Sequence, residues 1–426
     1  MVKIAIIGSG IAGLSSAWKL AERAEVHLFE AGDRLGGHTA TVDVTVQGQH
    51  YAIDTGFIVF NDRTYQHFHA LLAELELAGQ PTEMSFSVRN VQSGLEYNGH
   101  SLNSLFAQRG NLLRKKFWRF LADIVRFNRR AKQWLKAHGC ALSHQDTLGN
   151  FLQKQRFNAF FSDHYILPMG AAIWSCSLNE IRQMPLIFFL QFFNHHGLLD
   201  LSQRPQWYVI PGGSREYIRR LMAKIEDRLH IHLSTPVLQV QRHASSLTLH
   251  TRTGSDTFDQ VIFACHSDQT LALLDYATDE EQQMLSGVPW SASEVVLHTD
   301  TRLLPENPRA WASWNYRLDR SQSDSGHSAA TVTYNMNILQ GLNAGATFCV
   351  TLNDTTFIDP TKILGRYVYH HPQFGLQSLL TQRTRLLLNG VNRSWYCGAW
   401  CYNGFHEDGI RSALDVVAGM ERATLL

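Results

Sequence analysis

From the amino terminus, the chain opens with a short continuous apolar run, Ile4 to Ile7, then three glycines, then a stripe of Leu14, Ala17, Trp18, Leu20 and Ala21. An apolar run of that length predicts a parallel strand buried on both faces. The stripe, repeating at three and four residues, predicts a helix packed against it. A second strand is predicted at Val26 to Phe29. From about Pro81 to Arg204 the pattern turns helical and aromatic. "GNLLRKKFWRFLADIVRFNRRAKQWLKAH" (110–138) sets Leu113, Phe117, Leu121, Ile124, Ala131 and Leu135 at helical spacings. The next aromatic cluster, Trp174, Phe188, Phe189, Phe192 and Phe193, predicts a core or a pocket wall. Beyond residue 230 the period falls to two, predicting alternating strands around a turn at Gly254, then an apolar strand from Gln260 to Ala264. Strands of a mixed or antiparallel sheet follow at Glu294 to His298, Thr331 to Tyr334 and Thr347 to Leu352. The chain ends with a short strand into Gly398, an irregular turn, and a helix from about Gly409.

The glycines give the first strand and helix a chemical meaning. Gly8, Gly10 and Gly13 have G-x-G-x-x-G spacing: a tight turn, a close backbone approach for a pyrophosphate, and close packing of helix on strand. The helix start, with Ile11 and Ala12, offers free amides and a positive dipole end to phosphates. Glu30, followed by Ala31, ends the second strand 17 residues after Gly13, where a carboxylate accepts hydrogen bonds from ribose hydroxyls. That carboxylate disfavours a 2′-phosphate. The chain has one such fingerprint, so a reductase using NAD(P)H would lack its second nucleotide unit.

Directly after Glu30 comes "AGDRLGGH", where a simple NAD domain would enter its next helix. Glu30, Arg34, Gly36 and Gly37 resemble the E-x-x-x-R-x-G-G continuation of the superfamily of flavin-containing amine oxidases, protoporphyrinogen oxidases and phytoene desaturases. His38 stands where many members have a further Arg. "YAIDTGFIVFN", with Asp54 and Gly56, and the Pro211, Gly212, Gly213 element are similar to later parts of the pattern. The resemblance implies FAD as cofactor, with Arg34 and the glycine pair near its phosphates and ribityl chain. It also implies Val237 presenting its backbone to the adenine, and a last element of Gly398, Phe405, Asp408, Gly409 and Ile410 at the flavin edge.

The implied fold is α/β: an FAD-binding Rossmann-like domain of the glutathione reductase type, interleaved with a helical plus mixed-sheet substrate domain. Its expected segments are 1–78, 206–288 and 385–426 for FAD, with 79–205 (helical) and 289–384 (mixed sheet) for substrate. Amine oxidases place a lysine on a strand near residue 295; here Glu294, Val295 and Val296 stand there. Phe405 replaces a tyrosine of their aromatic cage, and Trp400 replaces an acid.

Composition narrows the partners. With 38 basic and 37 acidic residues the net charge is +1, which points to no nucleic acid partner. Cys140, Cys176, Cys265, Cys349, Cys397 and Cys401 form no CxxC pair and read as reduced thiols of a cytoplasmic protein. No apolar segment reaches 18 residues, so no membrane crossing is expected. Locally, ten basic side chains against one acid, Asp123, lie between Arg109 and Lys136. Such a helix is either a solvated charged face over a buried stripe or a peripheral contact with an anionic bilayer. No metal-ligand spacing is found.

The adjacent His406, Glu407 and Asp408 read as the lead-in to the last helix, with Asp408 as its N-cap and the Gly409 and Ile410 amides facing flavin. His406 is the one candidate for proton traffic. The leading expectation is an FAD-dependent oxidoreductase that takes a hydride from a largely apolar, lipid-like small molecule, of the C–C desaturase or oxidase type. The alternatives are an amine or amino-acid oxidase, and a flavin- and lipid-binding protein without turnover.

Overall fold

The structure, a computed structural model, describes residues 1–138, 146–200, 202, 204–319, 331–353 and 355–426. Cys140 lies outside them; the other five cysteines are free thiols. Among the described residues no helix is long and apolar enough to cross a membrane.

The first apolar run forms a central strand, Lys3–Ile7, of a five-stranded parallel sheet. Glu25–Phe29 and Leu229–His232 lie on one side of it, and Gln260–Phe263 and Ser394–Tyr396 on the other. The sheet thus gathers strands from three distant parts of the chain. Ile4, Ala5, Ile6, Val26, Leu28, Val261 and Ile262 are fully buried, as strands covered on both faces require. Because Glu25–Phe29 and Gln260–Phe263 flank the central strand on opposite sides, a crevice opens at its carboxyl end, where doubly wound sheets bind ligands.

A second sheet has seven strands, from Ile363–Pro372 at one edge through Trp290–His298, Cys349–Leu352, Thr331–Asn335 and Trp314–Leu318 to Phe86–Asn90 and Leu95–Asn98. Here the helical expectation for 79–205 needs correction. Its first part is strand: Gln80–Thr82, then a hairpin of Phe86–Asn90 and Leu95–Asn98. The hairpin turns at Gly94, whose φ of +63° is left-handed. Helices follow as expected, among them Lys115–His138 and Leu186–His195, which pack into one core with the sheet.

The basic helix Lys115–His138 buries Phe117, Phe120, Phe127 and Ala131. Its outer side leaves Trp118 and Val125 each 51% exposed, and Leu113, just before it, 90% exposed. Asp123 pairs with Arg126 and Lys132 with Asp200. Lys115, Lys116, Arg119, Arg129, Arg130 and Lys136 have no ion-pair partner among the described residues.

The alternating segment after residue 229 divides. Val237–Arg242, Leu247–Thr251 and Gly254–Phe258 form an antiparallel meander. Leu229–His232 instead becomes the edge strand of the nucleotide sheet.

Candidate active site at the flavin crevice

The turn after the central strand is held by sterics at two glycines. A Cβ at Gly8 (φ +102°) would lie 2.9 Å from the Ala264 carbonyl oxygen, and one at Gly13 only 1.9 Å from the Gly8 oxygen. Gly10 differs: a Cβ there would meet nothing within 4 Å, so this residue faces open space. Gly10 caps the helix Ile11–Leu20 with extended backbone. Leu14 is the first amide to bond back into the helix, to the Gly10 oxygen. The Ile11, Ala12 and Gly13 amides have no acceptor among the described residues. Three free amides on a positive dipole end, beside a position kept clear of side chain, fit a pyrophosphate.

Glu30 stands at the mouth of this turn. One carboxylate oxygen accepts from the Ser9 amide (3.0 Å) and hydroxyl (2.5 Å), the other from the Gly32 amide (2.8 Å). These donors fix the carboxylate as an acceptor surface, with exposed Ala31 beside it. The Thr235 amide donates to the Glu30 carbonyl (2.8 Å), which brings the start of the meander, with buried Val237, to the same corner.

Arg34 acts first on its own loop. Its guanidinium donates to the Thr39 (2.8 Å) and Gly37 (2.9 Å) carbonyls and so closes the loop that carries Gly36 and Gly37. The Gly36 amide reaches the Ser9 oxygen at 3.0 Å, and a Cβ on Gly37 would sit 3.2 Å from the Gly10 Cα. The glycine pair therefore lies directly over the phosphate turn. Asp54 locks two further elements together. Buried, it accepts from Thr41 (2.6 Å) and from the Ser214 amide and hydroxyl (2.9 and 2.8 Å), and burial raises its pKa to about 6.

The last helix is the second arm of the site. It runs His406–Arg422, three residues earlier than expected, and its N-cap is Phe405. Asp408 is therefore not the N-cap. It sits at the third helical position and reaches back to accept from the Phe405 amide at 2.9 Å, as a capping-box acid does. Burial raises its pKa to about 7. The Gly409 amide is committed to the Phe405 carbonyl (3.2 Å), and Ile410, one residue deeper, lies past the free first turn. The amides left without acceptors among the described residues are those of His406 and Glu407. Gly409 serves packing: a Cβ there would lie 2.5 Å from Ile11 Cγ2, so the two helix N-termini converge. Gly398, at φ +151°, ends the last sheet strand beside them, its amide bonded to the Ser412 hydroxyl (2.9 Å).

The trio at the helix start resolves into three structural tasks. The Glu407 carboxylate accepts from the His67 and Phe68 amides (2.8 and 2.9 Å), capping the helix Gln66–Glu74. His406 stacks on Phe57 at 3.7 Å and bonds through Nε2 to the Tyr217 hydroxyl (2.9 Å), which meets Thr39 Oγ1 at 2.6 Å. Burial, and secondarily His38, push its pKa down to about 3. The near-neutral titration expected of His406 is thus corrected: it is an uncharged ring at physiological pH. Sequence reasoning missed Phe57, Tyr217 and Thr39, which come together only through the tertiary fold.

The lysine position departs as expected. Glu294 points outward to Arg366 (2.6 Å), while Val295 and Val296 are buried. Trp400 is buried under the nucleotide sheet and donates to the Cys265 carbonyl (3.2 Å), so it forms no cage wall.

Two convergent helix N-termini, a glycine-lined turn and the Glu30 carboxylate at its mouth fit a dinucleotide. The sequence profile of the family described as flavin containing amine oxidoreductase matches residues 11–337. The chain belongs to that family, its cofactor is FAD, and it is an FAD-dependent oxidoreductase, which sets aside the reading without turnover. Among solved structures it resembles a putative protoporphyrinogen oxidase from Exiguobacterium sp. 255-15 (17% identity, 99% of each chain, TM-score 0.68). It also resembles cyclohexylamine oxidase from Brevibacterium oxydans IH-35A (15%, 99% of each, 0.68) and a CLA-producing fatty acid isomerase from P. acnes (15%, 98% of each, 0.67).

Proposed function

We propose that this oxidoreductase acts on a carbon–carbon bond of a largely apolar, lipid-like substrate, as a desaturase or oxidase. The observation that carries this reading is a run of packed aromatic rings, buried in the core of the second sheet, that reaches the start of the last helix. Trp174 packs on Phe192 (centroids 4.8 Å apart), Phe192 on Phe405 (4.9 Å), and Phe188 on Phe374 (5.1 Å). His196 stacks on Phe192 at 4.1 Å and is held neutral, its pKa pushed down by burial to about 3. Glu407 and Asp408, which follow Phe405 in the last helix, accept from backbone amides. Both carboxylates are held in place by those amides rather than free to turn toward an ammonium group, whereas an acyl chain needs no polar partner and gains by leaving water.

FAD, when bound, would supply a hydride acceptor whose electrons would leave to oxygen or a quinone. The chain's residues would hold the phosphates at the Ile11, Ala12 and Gly13 amides and the ribose at Glu30. The free His406 and Glu407 amides favour negative charge at the flavin edge, worth about 1 kcal/mol from the helix dipole. The aromatic wall orients the chain and excludes water. The unpaired cations and exposed Trp118, Val125 and Leu113 of the basic helix support peripheral contact with an anionic bilayer as the source of substrate.

The fold accommodates amine chemistry too, so amine or amino-acid oxidation is the second reading. Anaerobic bleaching of the holoenzyme separates them. Fatty acyl lipids should reduce the flavin absorbance and amines should not; bleaching by amines alone overturns the proposal.

A further inference from the structure

One face of the nucleotide sheet carries a polar cluster outside the flavin crevice, packed on Phe29 and Phe258. Glu25 and His27 alternate on one strand, and His230 and His232 on the edge strand beside it. The strands are parallel, with His230 in register with His27 and His232 with Phe29. A period of two places all four side chains on one face. His27 Nε2 lies 3.0 Å from Glu25 Oε1, and His27 Nδ1 lies 3.2 Å from His232 Nε2. The His27 and His230 rings stack with centroids 4.3 Å apart. One ligand atom from each of Glu25, His27 and His230 falls within 4.8 Å of the others.

We propose that Glu25, His27 and His230 bind a divalent transition metal of the zinc type, with His232 holding the second ring nitrogen of His27. Zinc bonds of about 2.0–2.1 Å place tetrahedral ligands about 3.3 Å apart. The His27–Glu25 pair is already near that spacing, and the remaining contraction falls on exposed His230, whose ring would swing out of its stack on His27 to aim a nitrogen at the metal. Two imidazoles and a carboxylate suit zinc and its neighbours rather than calcium or magnesium. The solvent side leaves room for a water as fourth ligand. His232 supplies the outer hydrogen bond that fixes a ligating imidazole. Lys3, the cation beside the cluster, is paired with Asp256 at 2.7 Å.

The site would clamp the edge strand to its neighbour next to the ribose carboxylate. The Glu30 amide donates to the His232 carbonyl (2.9 Å), and the Thr235 and Ser234 amides donate to the Glu30 and Gly32 carbonyls (both 2.8 Å). Metal occupancy therefore stiffens the corner that presents Glu30, whatever the substrate. The metal ligands escape a motif search because they are divided between two strands far apart in the chain.

The test uses untagged holoenzyme, stripped with a chelator and dialysed against zinc chloride. Saturable uptake of one zinc per chain is expected, with a rise in melting midpoint that follows occupancy. His230→Ala and Glu25→Gln, both at exposed positions, should abolish uptake and the rise while retaining flavin; His243→Ala, at an exposed histidine elsewhere, should change neither. Unsaturable uptake, or uptake undiminished in His230→Ala, means adventitious binding at surface histidines only and overturns the site.

Discussion

Replacing Gly10 with Ala separates folding from cofactor binding more sharply than any other single change at the crevice. Its backbone, φ −64° and ψ 179°, is one that alanine adopts without strain, and the added methyl would meet no protein atom within 4 Å. For the apoprotein the change therefore acts through the unfolded chain, and Gly10→Ala should raise stability by about 0.4–1 kcal/mol. For FAD the same methyl occupies the space through which a pyrophosphate reaches the Ile11, Ala12 and Gly13 amides. Charge-assisted hydrogen bonds contribute roughly 1.5–3 kcal/mol each. Losing two should cost at least about 3 kcal/mol, or roughly 100-fold or more in Kd. Gly13→Ala is the contrast: its methyl would sit 1.9 Å from the Gly8 oxygen and should prevent the helix from docking. Thermal melts of apoprotein and quenching of flavin fluorescence during titration read the two effects separately. A Gly10→Ala protein that melts lower yet binds FAD with unchanged affinity would refute the assignment of this turn to the phosphates.

Two further outcomes follow from the second arm and the basic helix. Asp408, held at a pKa of about 7 against an ordinary 3.8, binds its proton more tightly folded than unfolded, so its contribution to stability falls as pH rises from about 4 to 7 and is flat above. Asp408→Asn keeps an acceptor for the Phe405 amide and removes that slope; urea melts between pH 5 and 7.5 should differ from wild type by about 2 kcal/mol across the interval, and parallel curves would contradict the burial argument. For the basic helix, vesicles containing phosphatidylglycerol should carry the protein in flotation, and a Lys115→Gln, Arg119→Gln, Arg129→Gln variant should partition roughly 100-fold less at about 1 kcal/mol per charge. Equal flotation on purely zwitterionic vesicles would refute the electrostatic contact.

What could be read in advance divides along a physical line. The glycine turn was legible because its constraints are local: a Gly13-to-Gly8 clash at 1.9 Å and an open methyl position at Gly10 are properties of six consecutive residues. The strands at 294–298, 331–334 and 347–352 were legible for a similar reason, since each buries β-branched or apolar residues at strand spacing. The hairpin at 86–98 was not, because "FSVRN" and "LEYN" carry a mixed polar pattern that only pairing with Trp314–Leu318 stabilises. At the last helix, the acid at 408 was correctly linked to an N-terminus but displaced by three residues. Phe405 is a poor N-cap by its side chain, so only the return hydrogen bond from Asp408 marks the start.

The same division explains why His406 changed meaning. A histidine next to two acids near a flavin-facing helix looks titratable when its neighbours in sequence are its neighbours in space. In the fold Glu407 turns away to cap Gln66–Glu74, Asp408 turns back to Phe405, and the ring is left against Phe57, Phe68 and Tyr217. Desolvation then outweighs any charge stabilisation, and the imidazole stays neutral. A site whose histidines are neutral and whose acids are spent on amides leaves recognition to shape and apolar contact. The carbon–carbon chemistry proposed above would then rest on holding a chain against the flavin rather than on a protein base.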